Sequence, residues 1–322
     1  MGVTAAVGAL GLTIAPRHSL SQHTASFLLA LVLFHYAGVL VNDAMDVDVD
    51  RLSGRRQRSP LASGEVSPDT GRRLGLICLA GGTFAVMATR DAWPAAVLLF
   101  IGAGGCMLAY NVYGKRVHLP LVMDVVQGVA WGLFTLWASS VVSGDIFEAL
   151  LISTAVTIYM TQVNAIHGGI RDAEIDQRAG RITTALLLGV KKPQNGNLRI
   201  PQSLRVVAFT LQGGLLSLGI ACALSSPPAR SSQILSVVAS FGLFAGGFIL
   251  LSAGMRSDAS SARRESYGVC HIAITFQAIT FLSAANGGWR DLILAQALGT
   301  VLVLPLVGYT FLRSMGRFSL HG

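Results

Sequence analysis

Apolar stretches of roughly 17 to 25 residues recur from one end of this chain to the other, each about as long as a helix must be to cross a hydrocarbon core. No other feature restricts the fold so severely, because a backbone immersed in lipid must satisfy its own hydrogen bonds. The fold class that follows is all-α: a polytopic membrane helical bundle with no separate soluble domain. Composition agrees, since 52% of residues are hydrophobic, only 12% are charged and the mean hydropathy is +0.59, far too apolar for an ordinary soluble domain. The 36 glycines suit close helix contacts in lipid.

Candidate spans fall at about 1–16, 22–45, 74–90, 92–112, 120–143, 146–169, 204–224, 232–253, 267–286 and 290–312. The expectation from these spans is one domain, 1–322, of ten transmembrane helices. Of 24 Lys and Arg residues, 20 fall in the loops after the second, fourth, sixth and eighth spans or in the C-terminal tail, and only Arg17, Arg90, Arg230 and Arg290 lie opposite. Basic residues accumulate on the cytoplasmic side, which places those loops and both termini there. The net charge of +8 is thus a topology signal and not the footprint of a nucleic-acid partner. Met1 to Ala15 lacks the basic region and cleavage site of a secretory signal, so it reads as an abbreviated first span. Cys78, Cys106, Cys222 and Cys270 sit inside apolar stretches without CxxC spacing, implying neither disulfide nor zinc.

Polar residues are so scarce that their clustering is informative. At the cytoplasmic end of the second span the sequence runs VNDAMDVDVDRLSGRRQRSPLASGEVSP from Val41 to Pro68. On a helix turning about 100° per residue, Asp43, Asp46 and Asp50 fall within roughly 60° of one another, while Asp48 points the other way. Packed carboxylates repel unless a cation neutralises them, and oxygen-only sets suit magnesium, which takes one or two carboxylates, waters and substrate phosphates. Arg51, Arg55, Arg56 and Arg58 follow and suit a phosphate's far side. A solvated, salt-bridged loop would also carry such charges. However, Asp172 and Asp176, spaced i and i+4, repeat the acidic pattern after span six on the same side.

Between the clusters, span four ends in LAYNVYGKRVHLP, bringing Tyr110, Asn111, Lys115 and Arg116 to the same face, where an aromatic belt and a topology signal are the alternative readings. Asp124 and Gln127 lie within span five, at a depth where polar groups face a cavity or a partner. His23, His35, His167 and His271 lack metal-ligand spacing and read as bundle histidines, with His167 set apart by lying just before Asp172. Lys191 to Pro201, KKPQNGNLRIP, is the clearest connector. A transporter would carry its acids near the midplane in broken, repeated helices, whereas these lie at the cytoplasmic ends.

NDAMDVDVD fits the NDxxDxxxD motif of the UbiA superfamily of intramembrane prenyltransferases, RSPLASGEVS resembles that family's Arg-Pro-Leu-x-x-Gly segment, and RDAEIDQRAGRITTALLLG resembles its DxxxD motif, with Gly180 and Thr183 or Thr184 following. The resemblance covers about residues 22 to 286 and implies the family's nine spans, so that the expected architecture is nine to ten transmembrane helices with a central apolar cavity. It implies that Asn42, Asp43, Asp46, Asp50, Asp172 and Asp176 bind Mg2+ and the diphosphate of an isoprenoid donor, with Arg58, Tyr110, Lys115, Arg116 and Arg171 as further donor contacts. The reaction it implies is Mg-dependent transfer of the prenyl group to a lipophilic, aromatic acceptor with release of diphosphate, at a cytoplasm-facing site. The alternative is a terpene cyclase of the same superfamily, in which a double bond of the donor captures the cation. The chain departs from the family at both ends: the usual longer first helix is clipped, as if the start codon were assigned late, and a tenth apolar segment follows Gly287.

Overall fold

The computed structural model describes residues 20–52, 59–88, 94–140, 146–191, 198–225, 231–256 and 261–283. The helices are α1 (Leu20–Met45), α2 (Val47–Leu52), α3 (Pro60–Ser63), α4 (Pro68–Met87), α5 (Pro94–Tyr113), α6 (Pro120–Ser140), α7 (Ile146–Gln162), a π-helical turn (Val163–Gly168), α8 (Gly169–Arg178), α9 (Thr184–Leu187), α10 (Gln202–Ser225), α11 (Ser231–Gly254) and α12 (Ser261–Ser283). Four of these begin on proline, whose missing N–H costs nothing in a first turn and whose φ is already helical. Serine caps two of the four: Ser59 Oγ accepts from Ala62 N at 3.2 Å and Ser67 Oγ from Thr70 N at 3.1 Å.

Among the described residues, seven helical stretches are long and apolar enough to cross a membrane. The chain is an all-helical, multi-pass membrane protein, as expected. Helix α4 is as long as α5, but Arg72 and Arg73 in its first turns make it less apolar. The expected spans at 1–16 and 290–312 lie outside the described residues. The bundle's outer surface is that of a lipid-facing protein: Phe84 is 73% exposed and Ile249 71%, which lipid favours and water does not.

Helix α4 lies along α1, α5 through α7 follow as successive neighbours, and α10, α11 and α12 close the other side, with α7 touching both α10 and α12. Small residues set the closest approaches. A Cβ added at Gly75 would lie 2.6 Å from Val41 Cγ2, and one at Gly132 only 2.1 Å from Thr157 Oγ1, so the α1–α4 and α6–α7 backbones meet where no side chain intervenes. Away from the acidic end, Phe27, Phe34, Phe100, Phe134 and Trp137 fill the junction of α1, α5 and α6. Phe34 stacks on Phe134 at 4.3 Å and Phe27 on Trp137 at 5.1 Å between ring centroids, a favoured offset geometry.

Candidate active site

Helix α1 ends at Met45 and bends at Asp46 before α2 resumes. Helical spacing survives the break, because Asp46 N donates to Asn42 O at 2.9 Å and Asp50 N to Asp46 O at 2.8 Å. The phasing expected for an unbroken helix is therefore retained in part: Asp50 is buried, Asp43 and Asp46 are half-buried, and Asp48 faces outward, exposed. Helix α2 packs against α8, which carries the second acidic pair. There Asp176 is only 1% exposed.

Lys115 joins the two. Its Nζ lies 3.3 Å from Asp46 Oδ2 and 3.3 Å from Asp176 Oδ1, so residues 130 positions apart in sequence share one ammonium group. Burial alone pulls the Lys115 pKa down, but Asp46, Asp176 and Asp172 outweigh it and hold the group above its ordinary value. The lysine is placed by its own backbone, since Lys115 O accepts from Ile182 N at 3.2 Å. That contact fastens the α5–α6 loop to the segment after α8. Gly180 makes the segment's turn at φ +65°, a left-handed conformation that glycine adopts freely. Beyond it Thr183 caps α9, accepting from Leu186 N at 3.4 Å, and Thr184 Oγ1 donates to Asp124 Oδ2 at 2.5 Å with both residues buried. The polar partner expected for Asp124 is thus Thr184.

The other expected site residues are arranged less uniformly. Arg171 forms a two-pronged pair with Asp172, Nε to Oδ1 at 2.9 Å and Nη2 to Oδ2 at 2.6 Å. Asn42 Nδ2 donates to Asp43 Oδ1 at 3.4 Å. Arg116 donates to the carbonyls of Met45, at 2.8 Å, and Val112, an arrangement that closes the exposed C-terminal ends of α1 and α5. Tyr110 is half-buried near the end of α5, and Asn111 Nδ2 reaches across to Gly38 O at 3.1 Å. Arg51 Nε donates to Ala62 O at 3.1 Å, bracing α2 against α3. Arg58, with Arg55 and Arg56, lies outside the described residues.

Among the described residues no three His, Cys, Asp or Glu side chains enclose a metal position. A closed protein cage is not what magnesium requires, because it retains waters and takes substrate phosphate alongside one or two carboxylates. Asp46 and Asp176 supply oxygen donors from two separate helices within reach of a single cation, here the Lys115 ammonium. That donor set fits the ion.

The sequence singled out these acids and Lys115 as candidates, and it gave little sign of the long-range partners. The clearest omission is a histidine pair: His167 Nε2 lies 2.8 Å from His271 Nδ1, 104 residues away. The one available signal was the position of His167 just before Asp172.

The UbiA prenyltransferase family model matches residues 2–276. The 4-hydroxybenzoate solanesyltransferase of Synechocystis sp. is 30% identical over 155 residues, 47% of this chain and 50% of that one. Protoheme IX farnesyltransferase 1 of Paramagnetospirillum magneticum is 31% identical over 112 residues, 35% of this chain and 38% of that one. The chain therefore spans half or less of the length of these two relatives. A solved UbiA homologue from Archaeoglobus fulgidus, bound to GPP and Mg2+, superposes with a TM-score of 0.62 at 18% identity, covering 86% of this chain and 97% of that one. An apo UbiA homologue from Aeropyrum pernix K1 gives 0.53 at 18% identity, covering 98% and 97%. At these identities the structural likeness is one of fold.

Proposed function

The chain belongs to the UbiA prenyltransferase family, and from that premise we propose that it is a Mg2+-dependent intramembrane prenyltransferase. It takes an isoprenoid diphosphate and a lipophilic, aromatic acceptor, joins the prenyl group to the acceptor and releases diphosphate. The observation that carries this reading is Lys115 Nζ standing between Asp46 and Asp176 at 3.3 Å from each. Two acidic segments with no other reason to meet are drawn to one point at one end of an apolar bundle.

In this reading Asp43, Asp46 and Asp50 from one side, and Asp172 and Asp176 from the other, hold Mg2+ together with the donor's diphosphate. Bound there, the metal supplies positive charge against the negative charge that builds on the leaving group. Lys115 exchanges its carboxylate partners for phosphate oxygens, and Tyr110, Asn42, Arg171 and Arg58 complete the donor contacts. Arg116 acts at one remove: by holding the Met45 carbonyl it fixes the backbone beside Asp46. The allylic carbon–oxygen bond breaks with its electron pair going to the diphosphate. The apolar helix faces beneath the site, as a central cavity within one transmembrane unit, keep water from the resulting cation. The acceptor ring then forms the new carbon–carbon bond and loses a proton to regain aromaticity. A cytoplasm-facing site is supported by the excess of basic residues on the loops assigned to that side.

The test is incubation of the protein in lipid nanodiscs with a panel of prenyl diphosphates, with and without phenolic and quinoid acceptors, followed by mass spectrometry. A prenylated acceptor formed only when Mg2+ is present is the expected product. Cyclised donor in acceptor-free reactions would replace this reading with a cyclase, and unchanged donor in every arm would overturn both.

A further inference from the structure

The turn immediately before the second acidic pair is a π-helix, Val163–Gly168, in which Gly169 N donates to Asn164 O. Such a turn inserts one residue and rotates everything after it by about 100° relative to a continuous α-helix. The direction in which Asp172 and Asp176 point is therefore set here. Such turns are rare and occur mostly singly inside α-helices, frequently at functional sites.

Both ends of this turn are held. At its start Gln162, fully buried, donates from Nε2 to Ala208 O on α10 at 3.2 Å. Near its end His167 meets His271 of α12 at 2.8 Å, and His271 Nε2 lies 3.0 Å from Gln212 Oε1, one turn along α10 from Ala208. Gln212 Nε2 donates to Phe244 O on α11 at 3.3 Å, which settles which way its amide faces. The remaining polarity follows from the chemistry of each group. Gln212 Oε1 only accepts, so His271 carries its proton on Nε2 and accepts at Nδ1. His167 must then donate from Nε2. Gly268 leaves the space, since a Cβ there would lie 3.0 Å from His167 Nδ1. The result is a hydrogen-bonded chain, buried at His271 and Gln212, running from the π turn through α12 and α10 to α11.

We propose that Gln162, His167, His271 and Gln212 are positioning residues: they clamp the π turn and so set the rotation of α8 that brings Asp176 to Lys115. This rests on the reading of the acidic clusters as the metal–diphosphate site, and it adds a set of residues none of which touches that site. Removing such a support acts on the metal site without removing a ligand.

The test uses the whole protein in nanodiscs with Mn2+ as a paramagnetic stand-in for magnesium and inorganic diphosphate as the anion. Mn2+ affinity is read by electron paramagnetic resonance and folding by thermal unfolding. His271→Phe keeps a ring while removing the hydrogen bonds to His167 and Gln212, together with a longer one of 3.5 Å to Thr275 Oγ1, and Gln212→Leu removes the next link. Each is expected to weaken Mn2+ binding by about 10- to 100-fold, the usual cost of losing a residue that orients a metal ligand. His271→Gln, whose amide can accept from His167 and donate to Gln212, is expected to restore most of the affinity. Ser240→Ala removes a buried hydrogen bond to Ala278 O between α11 and α12, 3.0 Å long, and serves as the control that lowers stability alone. If His271→Phe does not fold, the less buried His167→Phe decides. Lowered thermal stability with unchanged Mn2+ affinity would overturn the clamp while leaving the site intact. Absence of Mn2+ binding by the wild-type protein would overturn the site itself.

Discussion

Lys115 carries one positive charge between two carboxylates contributed by different helices, and truncating it separates two roles. Lys115→Ala leaves Asp46 and Asp176 facing each other uncompensated and takes away a cation for the donor's phosphates. A hydrogen bond to a charged group contributes about 1.5–3 kcal/mol, so donor KM is expected to rise roughly tenfold to a hundredfold. Lys191→Ala, an exposed lysine outside the site, is expected to leave KM unchanged; steady-state kinetics over a donor concentration series checks both. The acids offer a sharper comparison. Asp46→Asn and Asp176→Asn preserve shape and remove a metal-binding charge, so kcat is expected to fall at least about a hundredfold, several kcal/mol of barrier. Because both act on one leaving group, the double variant should be little worse than either single one. Asp48→Asn, on the exposed side of α2, should stay near wild type. Strict additivity, or equal damage at Asp48, would sink the idea of a single site. Which acids share a face was legible in the sequence because that depends only on helical phase. That Lys115 would stand between them was not, because it depends on how the α5–α6 loop is tied to Ile182.

At the level of helices, the sequence announced starts better than irregularities. Prolines 60, 68, 94 and 120 each open a helix as their chemistry requires. The break at Asp46 and the π turn at Val163–Gly168 leave no comparable mark. The π turn shifts the phase of every later residue, yet the i, i+4 spacing of Asp172 and Asp176 survives within α8 because both residues follow it. Close helix contacts were legible only as an excess of glycine, and the structure shows which glycines matter. Gly128 and Gly132 lie where α6 meets α7: a Cβ at Gly128 would fall 2.4 Å from Thr157 O, and one at Gly132 2.1 Å from Thr157 Oγ1 and 2.9 Å from Ser153 O. Backbone atoms cannot step aside as a flexible side chain can, so Gly132→Ala and Gly128→Ala are each expected to destabilise by about 1–3 kcal/mol or more. Gly105→Ala on α5, with no atom within 4 Å of the added carbon, should be neutral. Thermal unfolding in detergent ranks the three, and a Gly105→Ala loss equal to that of Gly132→Ala would show that helix interiors, and not contacts, set the cost.

For the whole molecule, the two lines of argument about sidedness are independent. The contacts of Lys115 place the end of α1, the end of α5 and the end of α8 at one end of the bundle whatever the membrane orientation. The proposed orientation rests on the basic residues: 20 of 24 lie on the loops and tail assigned to that side, and positive charge is retained in the cytoplasm. In a variant with Cys78, Cys106, Cys222 and Cys270 replaced by alanine, a single thiol at exposed Ser63, the last residue of α3, should react with a membrane-impermeant maleimide only in inside-out vesicles. A thiol at exposed Gln177, on α8, should behave identically because it sits beside Asp176. A thiol at exposed Phe147, at the start of α7, should react only in right-side-out vesicles, since α7 crosses the bundle to reach α8. If Ser63 and Gln177 labelled from opposite faces, no shared site for the two acidic clusters would exist. If they labelled together but from the outer face, the site would stand and the charge argument for its orientation would fall, so the same three thiols test the geometry and the topology separately.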